Sequence, residues 1–214
     1  MGKKKSSFIS ATKKGKMLKS FNRPEKFICP IAGASISGYS DNYIYRYENE
    51  VCYKEYENDT VYVATPNELK KKYILNLGKY SIPVEHTLPF VANVQKYHDV
   101  ASGYIRTNVV ETKKYLFFPY THWAGKKMNE QQYLMYNKKT KECFHIKGDK
   151  IINDTNHGMD FSPIWALDKD MIDIFSAHNI YELAEKNPEL LNHPQLKGLK
   201  EDDNPVLMIV HLKR

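Results

Sequence analysis

Short segments of alternating apolar and polar residues, separated by turn-forming residues, run through most of this sequence. The pattern is clearest at 43–47, 51–56 and 60–64, where tyrosine and valine recur at every second position. A period of two places successive side chains on opposite faces of a strand, and short turns join antiparallel neighbours. The sequence therefore predicts an all-β chain built from antiparallel meanders.

The predicted strands fall into two similar groups, which follow a hairpin formed by 7–11 and 16–21. Each group places four strands in roughly 40–45 residues, which is the size of one blade of a β-propeller. We therefore expect a propeller-like arrangement. The first group consists of 43–47, 51–56, 60–64 and 72–77, preceded by 35–39, and the second of 104–110, 115–120, 132–136 and 142–146.

The C-terminal part of the sequence mixes strands with helix. Asn179 is predicted to cap a helix, with Glu182 at the capping-box position. The helical insertion that starts here is expected to cover about 179–199. An apolar run at 206–212 follows as a closing strand, and its composition predicts burial on both faces. The other predicted elements are strands at 161–167 and 171–176, and a loop with one helical turn at 81–101.

Positive charge is concentrated at one end of the chain. Residues 1–20 carry seven lysines and no acidic residue, which accounts for the whole net charge of +7. Basic segments bind nucleic acid or anionic lipid in some proteins, whereas the neutral remainder favours a solvated basic tail, 1–6. We therefore expect a domain that spans 7–214 and no nucleic-acid partner.

Composition excludes two further classes of protein. Hydrophobic residues make up 42% of the 214 residues, which is enough for a packed core and excludes a disordered chain. No apolar run is long enough for a transmembrane helix. The N-terminal residues also lack the apolar region of a signal peptide, so the chain as written is expected to stay in the cytoplasm.

The three cysteines, Cys29, Cys52 and Cys143, carry little information about chemistry. They are odd in number and widely spaced, and they form no CxxC zinc signature. Each is expected to pack as a small apolar residue, and one disulfide stays open as an alternative. Cys143 and His145 would share a face of a strand, which leaves a Cys–His nucleophile as a further alternative, without an evident oxyanion-stabilising loop.

Several segments occur in the order found in a known family. The residues are Asn-Asp-Thr-Val-Tyr at 58–62, Tyr-Ile-Leu-Asn-Leu-Gly-Lys-Tyr at 73–80, Ile-Asn-Asp at 152–154 before Asp-Phe at 160–161, and Asn-Pro-Val-Leu-Met-Ile-Val at 204–210. This order resembles six-bladed β-propeller proteins of the Bacteroidetes, which are similar to NHL and TolB propellers. In those proteins an NDTIY strand precedes a strand of the form Y-x-x-DLGKY.

The resemblance covers residues 8–214 and implies a propeller fold but no catalytic residue. Members are usually exported, often as lipoproteins, so it implies a periplasmic or cell-surface parent protein. Six blades need about 240–270 residues. We therefore expect three to four blades here, as the C-terminal part of an incomplete six-bladed propeller that derives from a truncated reading frame or a split gene.

A polar loop near residue 157 is one candidate site. Its side chains include Asp154, Asn156, His157 and Asp160. Carboxylate and amide oxygens bind Ca²⁺, so Asp154 and Asp160 are the candidate metal ligands and His157 a candidate ligand-binding residue. The alternative is an ordinary turn, because Asn, Asp and Gly are turn formers.

A second candidate site follows a predicted strand and contains Tyr120, His122 and Trp123. Tyrosine and tryptophan rings stack on sugars or peptide side chains, and propeller loops lie where ligands bind. The alternative is that these are rim aromatic rings that pack against the next blade. His86, His98 and Asp99 lie in the interrupted segment and could line the same face, but exposure to solvent is the favoured interpretation.

These observations support a non-enzymatic binding domain whose ligand is a carbohydrate, a peptide or a protein partner. The sequence contains no G-x-S-x-G, H-E-x-x-H or Gly-rich phosphate motif. A metal-assisted hydrolase or lactonase that uses Asp154, His157 and Asp160 is the alternative. A third interpretation is a non-functional fragment with an exposed sheet edge. No cofactor is expected unless the loop binds Ca²⁺.

Overall fold

The computed structural model describes residues 6–22, 43–55, 58–87, 93–148, 150–153, 159–167 and 169–212. Within these ranges the chain forms antiparallel sheets and two α-helices, which confirms the predicted all-β class. The predicted strand 35–39 and Cys29 lie outside the described residues. The chain divides into two compact units, one of residues 1–108 and 120–131, the other of residues 109–119 and 132–214.

The first unit begins with a hairpin and a four-stranded meander, as the alternating pattern predicted. The last meander strand starts at Leu69, three residues before the predicted 72–77. Thr65 explains the difference, because its amide and hydroxyl both bond the Glu68 carbonyl and close a tight turn. The elements are the hairpin β1 (Ser6–Ala11) and β2 (Met17–Asn22), and the meander β3 (Tyr43–Tyr47), β4 (Glu50–Lys54), β5 (Thr60–Ala64) and β6 (Leu69–Ile74).

One helix, α1 (Val94–Ala101), completes the first unit together with strand β7 (Ile105–Thr107) and the end of strand β9 (Tyr115–His122). The side chain of Asn93 caps α1 by accepting a hydrogen bond from the Lys96 amide. The sequence predicted a single helical turn here, whereas the helix has eight residues. Three short 3-10 helices also belong to this unit: Gly78–Tyr80, Val84–His86 and Lys126–Asn129.

The second unit contains the remaining strands and the helix α2 (Ala177–Lys186), followed by a 3-10 helix at Pro188–Asn192. Strand β9 belongs to a sheet ordered β11-β10-β9-β7, in which β8 also pairs with β9, and the last sheet has the order β12-β13-β14. The strands are β8 (Val110–Glu111), β10 (Gln132–Asn137), β11 (Cys143–Ile146), β12 (Trp165–Leu167), β13 (Asp170–Phe175) and β14 (Val206–His211).

Helix α2 starts one turn before the predicted cap. Ser176, not Asn179, is the N-cap, and its hydroxyl oxygen accepts a hydrogen bond from the Asn179 amide. The helix then buries Ala177, and it packs Ile180 and Ala184 in a core that Phe175 and Met159 also form. Serine is as good a cap as asparagine, so residue preference alone did not locate the helix start.

Strand β14 differs from its prediction. The apolar run predicted burial on both faces, but Leu207 and Ile209 are 56% and 52% exposed. The alternate residues Val206, Met208 and Val210 face the core and are half-buried. The prediction was wrong because an apolar run does not show how many neighbours cover its strand.

A buried ion pair joins two strands of the second unit. The carboxylate of Glu111 on β8 is fully buried and accepts a hydrogen bond of 2.7 Å from Lys138 Nζ. The lysine follows β10 and its side chain is 18% exposed. Removing one partner of such a pair leaves a desolvated charge in the interior.

We expect Lys138→Met to destabilise the protein by about 3 kcal/mol, because the buried Glu111 carboxylate loses its counter-charge. Urea unfolding measures this change. The matched control is Lys139→Met, at the next and exposed position, which should change the free energy of unfolding by less than about 0.5 kcal/mol. Equal effects of the two substitutions would contradict the account.

A buried lysine lies in the first unit. Lys54 is 2% exposed and donates to the Glu55 carbonyl oxygen at 3.2 Å. Burial lowers the pKa of its ammonium group from 10.5 to about 8, against the opposing influence of the Asp59 and Glu55 charges. Between these two pKa values the unfolded chain binds more protons than the folded one, so stability rises with pH across that window.

Substitution of Lys54 tests this linkage. We expect Lys54→Met to raise the free energy of unfolding at pH 7 by up to about 3 kcal/mol, because the desolvated charge is gone. The gain should shrink as pH rises from 8 towards 10.5. Unfolding at a series of pH values measures it, with the exposed Lys71→Met as control. A stability difference that does not change with pH would contradict this assignment.

Candidate functional site

Two of the sequence-predicted residues, Tyr120 and His122, lie on one face of β9. The register of the antiparallel pair β7–β9 places Thr107 opposite Tyr120 and Ile105 opposite His122. Directly opposed residues of an antiparallel pair share a face. We call these four side chains, Ile105, Thr107, Tyr120 and His122, the Thr107 face.

The opposite face of the β7–β9 strand pair carries a charged side chain, that of Arg106. Arg106 and Thr121 are paired in the register, and Arg106 Nε donates to Thr121 Oγ1 at 2.8 Å. Since side chains alternate along a strand, the guanidinium group lies on the other side from the Thr107 face. The Thr107 face therefore consists of neutral and apolar side chains and one histidine.

Trp123 anchors this strand pair from the interior. It is 5% exposed, its Nε1 donates to the Ile105 carbonyl oxygen at 2.9 Å, and its amide donates to the Tyr104 carbonyl oxygen. Its ring packs with Tyr97 and Ala101. A ring this buried supports the packing alternative for Trp123 and offers no face for stacking on a ligand.

His122 is held in one tautomer. Its Nδ1 lies 2.7 Å from the Ser102 carbonyl oxygen. A carbonyl oxygen only accepts, so Nδ1 carries the proton and donates. In the neutral imidazole Nε2 then carries a lone pair, and the half-buried ring presents it as an acceptor.

Tyr120 is held as a proton donor. The side chain is half-buried, and burial raises the pKa of its hydroxyl above the usual value of 10.0. The nearby Tyr80 raises that pKa further. The phenol group of Tyr120 therefore remains protonated throughout the neutral pH range.

Thr107 carries a polar atom without a partner. Its side chain is 7% exposed, and Oγ1 finds no hydrogen-bond partner among the described residues. A buried hydroxyl without a partner costs about 1–3 kcal/mol, so such groups are rare in native proteins. An atom of a bound molecule would supply the missing interaction.

His86, His98 and Asp99, for which solvent exposure was the favoured interpretation, lie in the same unit and have internal partners. His86 Nδ1 is 3.1 Å from the Tyr104 hydroxyl, and His98 Nδ1 accepts from the Gly125 amide at 3.4 Å. Asp99 is exposed and accepts from the Gln95 side chain at 3.4 Å. Each of these three side chains therefore has a partner outside the Thr107 face.

The predicted metal loop is only partly within the described residues. Asp154, Asn156 and His157 lie outside them, while Asp160 is exposed and its Oδ1 accepts from the Asn153 amide at 3.1 Å. That contact is the kind that a structural turn makes. Within the described ranges, no three His, Cys, Asp or Glu side chains are placed to hold a metal ion. A Ca²⁺ site here stays a prediction.

The two described cysteines lie in different environments and are not joined to each other by a disulfide. Cys52 is fully buried, as expected of a small apolar residue, whereas Cys143 is exposed on β11. His145 bonds to Gln132 Oε1 at 3.3 Å. Both side chains are exposed to solvent on β11, which disfavours the Cys–His alternative because reactive cysteines occupy partly enclosed environments.

Sequence reasoning missed Thr107 and Ser102. Thr107 lies inside a predicted strand, but nothing in its identity distinguishes it from any other strand threonine. Its role follows from the β7–β9 register, which depends on residues far apart in the sequence. The one local signal was the spacing of Tyr120 and His122, which places both side chains on one face.

The comparisons with known proteins show the family of this chain. It belongs to the family described as a domain of unknown function, DUF4934, which matches residues 1–211. No curated protein matches the chain. None of the described helices combines the length and apolar character that a membrane crossing requires.

One solved structure is similar to the chain. It is the crystal structure of a protein from Bacteroides fragilis that is described as a candidate exported protein. The TM-score is 0.62 at 17% identity, over 97% of this chain and 59% of that one. The chain thus spans about three fifths of that protein's length, and at this identity the likeness concerns the fold alone.

Two of the histidines of this unit, His98 and His122, provide a test of the site geometry. We expect neutral His122 to carry its proton on Nδ1 and neutral His98 to carry it on Nε2, because their Nδ1 atoms donate and accept respectively. Long-range ¹H–¹⁵N spectra above pH 8 distinguish the two tautomers. The Nε2–H form in His122 would contradict the geometry of the Thr107 face.

Proposed function

We propose that this chain is a non-enzymatic binding domain whose ligand contacts the Thr107 face. The observation that carries the proposal is the buried Thr107 hydroxyl, which has no partner among the described residues. It lies on the same face as a half-buried tyrosine and a half-buried histidine. Binding sites commonly combine an apolar surface with a few convergent polar groups of this kind.

The chemistry of the face favours a neutral, hydroxyl-rich ligand. The Tyr120 phenol donates, the Nε2 atom of neutral His122 accepts, and the Thr107 hydroxyl does both. Arg106, the charge on this strand pair, lies on the opposite face. A carbohydrate offers adjacent hydroxyl groups that donate and accept, so it is the class of ligand that we propose.

The proposal extends to the architecture and location of the protein. We propose that its sheets are blades of a β-propeller of the six-bladed type. Three observations support this proposal. The structure has sheets of three, four and five strands, the sequence motifs occur in the order found in six-bladed propellers, and the fold is similar to that of the solved structure. The number of blades is part of the proposal. The description of the similar protein as a candidate for export supports a location outside the cytoplasm.

Substitution of two buried threonines tests the proposal. We expect Thr107→Val to weaken carbohydrate binding about tenfold and to leave the stability of the free protein unchanged or higher, because no internal hydrogen bond is lost. The control is Thr112→Val. Thr112 is fully buried, and its hydroxyl donates to the Tyr115 carbonyl at 3.1 Å and accepts from the Tyr115 amide at 3.0 Å.

The control should behave in the opposite way. Thr112→Val should lower the free energy of unfolding by about 1–2 kcal/mol and leave binding unchanged. A carbohydrate array identifies the ligand and calorimetric titration measures the dissociation constants. A fully negative array, or a ligand whose affinity Thr107→Val does not change, would contradict the proposal. Equal destabilisation by the two substitutions would show that Thr107 has an internal partner.

A further inference from the structure

Strand β14 forms one edge of the last sheet. It pairs with β13 along all six residues, from Val206 opposite Phe175 to His211 opposite Asp170. Among the described residues, no strand pairs with its other side. The amide and carbonyl groups on that side point away from the sheet and form a template for another strand.

This edge lacks the features that protect natural sheet edges. Protected edges carry charged side chains, proline, a bulge or a short strand. From Val206 to Val210 the strand carries five apolar residues in succession, without charge or proline, and its register with β13 has no irregularity. The opposite edge strand, β12, is only three residues long.

The burial of core-facing residues decreases towards β14. On β13, Met171, Asp173 and Phe175 are 3%, 5% and 9% exposed. Their neighbours on β14, Val206, Met208 and Val210, are only half-buried although they pack on the same cores. A further strand beside β14 would cover them, whereas a ligand on one face of the sheet would not.

We propose that β14 pairs antiparallel with β14 of a second copy of this chain, about a two-fold axis that passes through Met208. In this register Met208 faces Met208 of the other copy, Leu207 faces Ile209, and Val206 faces Val210. From Val206 to Val210 every opposed pair is apolar, and core-facing residues face core-facing residues; His211 lies opposite Pro205 at the end of the strand.

The register is selected by the alternation of the strand. A shift by one residue would place core-facing against exposed side chains, because the side-chain period is two. A register shift of two residues, in either direction, reduces the number of apolar residues that lie opposite apolar residues. In one direction it also places His211 opposite Leu207. A two-fold interface must be self-complementary, and the Met208 register satisfies this requirement.

The exposed face of the sheet adds apolar contact area beside the two-fold axis. Ile174 and Ile172 lie opposite Leu207 and Ile209 in the β13–β14 register, and Trp165 lies opposite Ile172. Trp165 and Ile174 are 48% and 37% exposed. Pairing at β14 would join the two patches into one apolar surface that continues through both copies.

Sedimentation equilibrium of the whole chain tests the proposal. We expect a monomer–dimer equilibrium with a dissociation constant on the order of 10 µM, since one strand pair buries less area than a standard interface. Ile209→Lys should weaken it at least tenfold, because edge lysines oppose strand addition. The matched control is Leu167→Lys on β12, equally apolar and 58% exposed, which should leave the constant unchanged.

Thermal unfolding shows whether both variants remain folded, and hydrogen exchange gives an independent measurement on the wild type. The β14 amides should become protected as protein concentration rises through the dissociation constant. A wild-type monomer at all concentrations up to 500 µM, on the order of 50 times that constant, overturns the proposal. Equal weakening by the two lysine substitutions also overturns it, because the interface would then be the sheet face and not the edge.

Discussion

The hydrogen bond from the Trp123 indole to the Ile105 carbonyl oxygen is the interaction on which the candidate site depends. It ties the buried end of β9 to the start of β7 and lies next to the register in which Thr107 faces Tyr120. The segment that joins α1 to β7 brings the Ser102 carbonyl oxygen close to His122 Nδ1. This contact fixes the tautomer of the ring. Trp123, which was predicted to bind the ligand, therefore positions the strands of the site. Thr107, Tyr120 and His122 present the polar atoms.

Among the described residues, the other fully buried side-chain nitrogen and oxygen atoms have hydrogen-bond partners. Glu111 has Lys138, and Asp173, at 5% exposure, accepts hydrogen bonds from the amides of Ser162 and Ile174. Burial raises the pKa of Asp173, while the two amide hydrogen bonds act in the opposite direction. Against this background the unpartnered hydroxyl of Thr107 is an exception. The edge of β14, which no described strand covers, is a second place where interactions are left open, and the two proposals above rest on these two features.

Much of the fold could be predicted from the sequence because strand alternation is a local signal. It gave the hairpin β1–β2, the strands of the first meander, and the shared face of Tyr120 and His122. Features that depend on distant neighbours could not be predicted. The orphaned hydroxyl of Thr107 depends on strand register, the burial of Trp123 depends on α1, and the exposure of β14 depends on how many strands flank it.

The most direct test of the account is the β7–β9 register, measured by interstrand nuclear Overhauser effects between backbone protons. The account predicts cross-peaks that link residue 105 with residue 122 and residue 107 with residue 120. With this pairing, Thr107, Tyr120 and His122 share a face. Cross-peaks that instead link residue 106 with residue 120 or 122 would show a slip of one residue. That slip would place Thr107 on the face opposite Tyr120 and His122, and it would contradict the central claim.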